Sequence, residues 1–239
     1  MNTPYDQNKP DYVKIARDII LSRYDDPEYK KGIESIIDPD NQNMHTIDPP
    51  HIVAVVEWVG TIWRNPPDAL LIAAYGHDWE RAWEDERDKE EDYSEGDKLF
   101  YDSWYMMHKE IHASNSANLL RRKIGQHIPI PLMMDVTHLV LRHEKGGERN
   151  RQGDLIPKQD AYTRLYDLNS AADVLNHADV LGFFDVLDLY VRIKPMDKVE
   201  QKIKWSLRRI KNEEIYRLIS QMEYSEKLAI EAHRRFVLI

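Results

Sequence analysis

The stretch LLIAAYGHDWERAWE, residues 70–84, decides how the whole chain is read. Leu70, Leu71, Ile72, Ala73 and Ala74 leave no polar face, which predicts a helix buried on all sides. At His77 and Asp78 the character turns abruptly to charged, ligand-forming side chains. Burying either costs free energy unless it is paired, hydrogen-bonded or bound to a cation. Adjacent helix positions lie about 100° apart, so two such side chains can converge on one ion beside the helix. A buried His–Asp hydrogen bond without metal explains the dipeptide equally well when it stands alone. The other ligand-type residues therefore decide between the two.

Working outward, the flanking sequence is helical in pattern. Asn65-Pro66-Pro67-Asp68 separates the central helix from one before it, which carries Ile52, Val53, Val55, Val56, Trp58 and Val59 to about Arg64. Asp48-Pro49-Pro50 reads as the N-cap and first turn of that helix, with His51 in the same turn. Earlier still, residues 11–24 form a helix and 27–37 a weaker one. Downstream, residues 84–97 form an acidic connector, followed by a long helix over 98–125. Pro129 and Pro131 open a helix reaching His143, which Gly146-Gly147 stops. Residues 148–160 read as a functional loop. Helices are expected again over 162–177 and 180–192, then from Pro195 to the end. With no alternating strand run, the chain is expected to be all-α. One domain is expected over 1–239, with a core at about 48–192 and a helical extension over 195–239.

Composition narrows the function. The 239 residues are 42% hydrophobic, enough for one sizeable core. A net charge of -9 without a basic stripe argues against duplex nucleic acid as a partner. Arg121-Arg122-Lys123 and Arg208-Arg209 read as solvated helix faces. The absence of cysteine removes thiolate nucleophiles, disulfides and Cys-based metal sites, so any metal must sit on His and carboxylates. The polar start MNTPYDQNKPDY lacks a signal-peptide or lipidation profile, and no apolar run approaches the ~18 residues that span a bilayer. A cytoplasmic protein without a membrane partner is expected. The apolar face of the tail (Val199, Ile203, Leu207, Ile210, Ile215, Leu218, Ile219) suits packing on the domain or on a second copy in a homo-oligomer.

Ligand-type residues fall on separate predicted helices: His51, His77 with Asp78, His112, His143 and Asp179. A helical bundle whose core helices each deliver one or two ligands to a shared interior site needs this order. His108 precedes His112 by one turn and competes with it, as His45 competes with His51. Imidazole and carboxylate together suit divalent Fe, Mn, Zn, Co, Ni or Mg.

The ordered set His … His-Asp … Asp resembles the HD-domain superfamily of metal-dependent phosphohydrolases over about residues 48–192. The segments carrying the resemblance are 76–82 (GHDWERA), 112–117 (HASNSA), 142–147 (RHEKGG) and 177–179 (HAD). It implies an HD-type helical bundle in which His51, His77, Asp78 and Asp179 hold one ion. His112 and His143 would hold a second, with Asp78 bridging the two. His112 is preferred over His108 because its His-Ala-x-x-Ser-Ala context matches one branch of the superfamily.

Around such a centre, Glu80 and Asp78 are the candidate catalytic residues, and Arg81, Lys109, Arg142, Glu144 and Lys145 the candidate substrate contacts. A small anionic, phosphorylated substrate is expected, since Arg binds phosphate in two-pronged fashion. The expected activity is hydrolysis of a phosphate ester or nucleotide-like molecule by metal-activated water. The same six ligands also resemble the HD-fold di-iron oxygenases, such as myo-inositol oxygenase. A non-catalytic metal- or nucleotide-binding module is the third alternative.

Overall fold

A computed structural model describes residues 10–27, 44–86, 98–193, 196–210 and 212–221. The fold among these residues is all-α: nine α-helices, one 3-10 helix and only isolated β-bridges. No described helix is long and apolar enough to cross a membrane. The expected helix over 27–37 and the acidic connector past residue 86 lie outside the described residues.

Helix α1 (Tyr12–Asp25) starts at Asp11, whose carboxylate accepts the Lys14 N–H at 2.9 Å. Helix α2 (Met44–Ile62) begins earlier than expected. Asp48 is therefore not its N-cap, and Pro49, Pro50 and His51 lie in its second turn. Asp48 is buried instead and forms an ion pair with Arg81.

Helix α3 (Asp68–Gly76) is shorter than the predicted segment. It stops just before His77, and residues Trp79–Glu86 continue as a 3-10 helix. Ala69, Leu70, Ile72, Ala73 and Ala74 are all at most 1% exposed, but Leu71 and Tyr75 are only partly buried, so its neighbours enclose the helix on every side except one strip rather than all round. Those neighbours are α1, α2, helix α5 (Ile130–Arg142) and helix α6 (Leu168–Asp185). Helix α4 (Lys98–Lys123) lies against α5, and its Leu120 side chain closes over Gly76.

Helix α6 corrects two expectations. Residues 162–167 are not helical. The Asp160 carboxylate accepts the backbone N–H groups of Thr163, Arg164, Leu165 and Tyr166 at 2.6–3.1 Å, and Asp135 accepts those of Ala161 and Tyr162. Backbone groups bonded to these side chains cannot enter a helical ladder. The helix starts instead at Asp167, which caps Ser170 N at 2.6 Å, and runs unbroken through residues 177–180. Asp179 thus sits mid-helix on a buried face rather than at a helix start.

Helices α7 (Leu187–Ile193), α8 (Met196–Arg209) and α9 (Glu213–Gln221) complete the described chain. Val199, Ile203, Ile215 and Ile219 pack with Val180, Leu181, Phe183, Phe184 and Leu187 in one cluster. The tail's apolar stripe therefore covers α6 from within the same chain.

Candidate metal centre

Three helices and two helix ends bring the six predicted ligands together, Asp78 directly following the cap His77. His51 comes from α2, Asp179 from α6 and His112 from α4, while His77 and His143 cap the C-termini of α3 and α5. All six are buried, none more than 8% exposed. His51 Nε2 lies 3.0 Å from Asp179 Oδ1 and 3.3 Å from His77 Nε2. His77 Nε2 is 3.5 Å from Asp179 Oδ1 and 3.6 Å from Asp78 Oδ2. On the other side, His112 and His143 bring their Nε2 atoms within 3.2 Å of each other. They lie 3.6 and 3.5 Å from Asp78 Oδ1.

Two groups able to hold a metal ion result, His51–His77–Asp78 and Asp78–His112–His143. Asp78 belongs to both and turns one carboxylate oxygen toward each. Asp179 stands beside the first.

The donor atoms fit a cation. Ligands about 2.1 Å from one ion and 90–110° apart are separated by about 3.0–3.4 Å, close to the observed spacings. His77 Nδ1 lies 2.9 Å from the Ala74 carbonyl, and His143 Nδ1 2.7 Å from that of Val140. A carbonyl only accepts, so both Nδ1 atoms carry hydrogen and in the neutral ring both Nε2 atoms offer lone pairs inward. The two caps share one backbone geometry, with φ/ψ of -58°/-36° at His77 and -56°/-31° at His143. Each therefore sits at the negative end of a helix dipole, which favours a cation there. Asp78 Oδ1 is buried with no hydrogen-bond partner, a costly state that a bound ion removes.

The charges around the cluster set its protonation states in the metal-free chain. Burial raises the Asp78 carboxyl, but Arg81, His77 and His143 together hold it well below its usual range. Asp179 is likewise depressed, with Arg209 the strongest influence against burial. Burial works against protonation of His77, yet the Asp78 and Asp179 carboxylates lift it to about 9. His112 moves the other way, pushed down by burial and by His143.

Each carboxylate is gripped from outside by an arginine. Arg81 Nη1 lies 2.8 Å from Asp78 Oδ2 and 3.2 Å from Asp48 Oδ1. Arg209 Nη2 lies 2.5 Å from Asp179 Oδ2 and donates to the His143 carbonyl at 2.9 Å, while its Nε donates to Asn176. Arg209 was not among the expected site residues. Its segment reads as a solvated face, yet the side chain is only 7% exposed. The one available signal was its place on α8 one turn beyond Trp205 and Ser206, whose face it shares.

The remaining candidates are distributed as follows. Glu80 is buried, and its N–H donates to Ser116 Oγ at 3.1 Å. Glu144 Oε1 approaches His112 Nε2 at 3.6 Å. Arg142 donates through Nε to Gly146 O at 2.8 Å, closing the turn after α5, and Lys145 is exposed. The side chains of His45, His108 and Lys109 lie outside the described residues.

Compared with family models, curated proteins and solved structures, the chain matches none of them.

Proposed function

We propose that this chain is a metal-dependent hydrolase of a phosphate ester or nucleotide-like small molecule, of the HD type, working with two divalent ions. One observation carries the proposal: Asp78 belongs to both possible metal groups, its Oδ2 approaching His77 and its Oδ1 approaching His112 and His143. His51, His77, Asp78 and Asp179 would hold one ion, and Asp78, His112 and His143 the other. Bound there, such ions lower the pKa of a coordinated water and neutralise phosphoryl charge. The donors suit Fe, Mn, Zn, Co, Ni or Mg.

The protein's own groups have distinct tasks. Arg81 and Arg209 fix the two carboxylates in place through charge-assisted hydrogen bonds. Glu80, two residues beyond Asp78 and buried beside it in sequence, is the candidate to orient a water or move its proton. Glu144, whose Oε1 lies 3.6 Å from His112 Nε2, stands beside the position of the second ion and is a candidate substrate contact. Lys109, Arg142 and Lys145 remain candidate contacts for an anionic substrate.

The test is the metal content of protein purified without added metal or chelator, followed by a panel of phosphate esters. About two equivalents in wild type, absent from Asp78→Ala, with hydrolysis slowed but metal kept in Glu80→Gln, is the expected result. Well-folded wild type that takes up no metal on reconstitution would overturn the proposal. Four imidazoles with two carboxylates also favour iron as a candidate. Iron with substrate-dependent O2 uptake would transfer the site to the HD-fold oxygenases, and metal without turnover to a binding module.

A further inference from the structure

Helix α8 carries a second cation toward the cluster. Lys202 precedes Arg209 by seven residues, two helical turns, so the two occupy one face of α8. Arg209 on that face reaches Asp179 directly. Lys202 Nζ is placed 4.4 Å over the Trp205 ring and 5.4 Å from the Phe183 ring centroid. This aromatic seat fixes the ammonium by cation–π attraction. Arg209 Cζ lies 4.6 Å from the centroid of the same Trp205 ring, so the half-buried Lys202 ammonium shares its aromatic seat with the residue that holds Asp179, and it senses the charges of Asp179, Glu144, Arg81 and Arg209.

The three cations differ in what they already hold. Arg81 is engaged by Asp78 and Asp48, and Arg209 by Asp179. Lys202 has no carboxylate within ion-pair distance among the described residues. Burial, helped by the Arg81 and Arg209 charges, outweighs the attraction of Asp179 and Glu144 and lowers it to about 8, so no close counter-ion balances the ammonium. An oxyanion brought to the cluster would supply one.

We infer that Lys202 is a substrate-binding residue that receives the phosphoryl group of the substrate from the α8 side, with Phe183 and Trp205 holding its ammonium in place. Arg209, on the same helix face, holds the ligand Asp179. A segment outside the 48–192 core thus closes one wall of the site. This assignment depends on the phosphohydrolase reading above, and the experiment separates the two.

The full chain loaded with Mn2+ is titrated with inorganic phosphate by calorimetry, in wild type, Lys202→Met and Lys202→Arg, with bound metal counted in each. Lys202→Met is expected to weaken phosphate binding about tenfold or more at unchanged metal content, since a hydrogen bond to a charged group contributes about 1.5–3 kcal/mol. Lys202→Arg is expected to recover most of the affinity. Wild-type phosphate affinity in fully loaded Lys202→Met would overturn the inference, as would loss of metal from that variant. If wild type takes up no metal, the same titrations are run on the metal-free chain. Binding that still requires Lys202 would then uphold the cation's role while the metal reading fails. Phosphate binding absent from both forms of wild type would overturn it.

Discussion

The Asp179 carboxylate is shared between two helices: its Oδ1 faces His51 Nε2 at 3.0 Å, and its Oδ2 meets Arg209 Nη2 at 2.5 Å. A buried carboxylate so placed is oriented by its cation and depends on it. Removing one partner of a buried pair leaves an uncompensated charge, at about 3–5 kcal/mol. Arg209→Met is expected to lower Tm and to weaken metal retention at the His51–His77 group. Thermal melts and elemental analysis check this; unchanged values in both would show that Arg209 does not position Asp179.

The shared position of Asp78 predicts different losses for different ligands. Asp78→Ala removes an oxygen from both groups and is expected to abolish both equivalents of metal. His112→Ala disturbs only the group containing His143 and is expected to leave about one equivalent. Equal losses in the two variants would mean that the groups do not load separately.

Proton release gives a third expectation. In the metal-free chain His77 titrates near 9, against an ordinary value of 6.5. Its Nε2 binds metal only when the proton is gone, so loading at pH 7 displaces one proton, and metal affinity climbs up to about tenfold per pH unit below 9. An indicator dye in weakly buffered solution reads that proton.

Stability of the metal-free chain should move in the opposite direction. A histidine with a raised pKa contributes stability that is complete below 6.5 and is lost as pH rises through 9. From pH 8 upward, Lys202, lowered from 10.5 to about 8, sheds its charge in the folded chain and offsets the loss. Tm without metal is therefore expected to fall between pH 6.5 and 8 and then level off. A flat profile over that interval would mean that His77 is neutral.

Glycine 182 supplies a packing test. A Cβ there would lie 2.7 Å from Val55 Cγ2 and 3.0 Å from Val55 N, on the α2 backbone. Val55 is one turn beyond His51, and Gly182 is three residues beyond Asp179, so this close contact holds the helices of two candidate ligands together. Gly182→Ala is expected to cost about 1–3 kcal/mol and to loosen metal at the first group. At Gly60, also on α2, an added methyl would meet nothing within 4 Å, and Gly60→Ala should be neutral or slightly stabilising. A harmless Gly182→Ala would show that α2 and α6 can move apart without consequence.

Much of the centre was legible in the sequence because its ligands break a local rule. His77 and Asp78 end a run of residues with no polar face, and His143 follows Val136, Leu139 and Val140 in the same way. Polar residues at the edge of an apolar pattern must be satisfied by something. Asp179 was legible as a candidate ligand but not in its setting, because a polar segment at 176–179 looks like a helix boundary when its partners Arg209 and His51 are distant in sequence. The buried place of Arg209 beside Asp179 and the aromatic seat of Lys202 were not legible. A cation on an amphipathic helix reads as solvated unless one knows which helix face is turned inward, and tertiary packing alone decides that. The non-helical segment 160–167 escaped for a related reason: Asp135 and Asp160 collect its N–H groups from outside the pattern.

The grip of Arg209 on Asp179 also has a consequence in time. A ribosome delivers His51, His77, Asp78, His112 and His143 well before it delivers the residue that holds Asp179. A nascent chain can present imidazoles to passing ions long before the first group can close around one. Tight metal retention would then mark a chain whose synthesis has passed α8, and release of the ion would report the undocking of that helix.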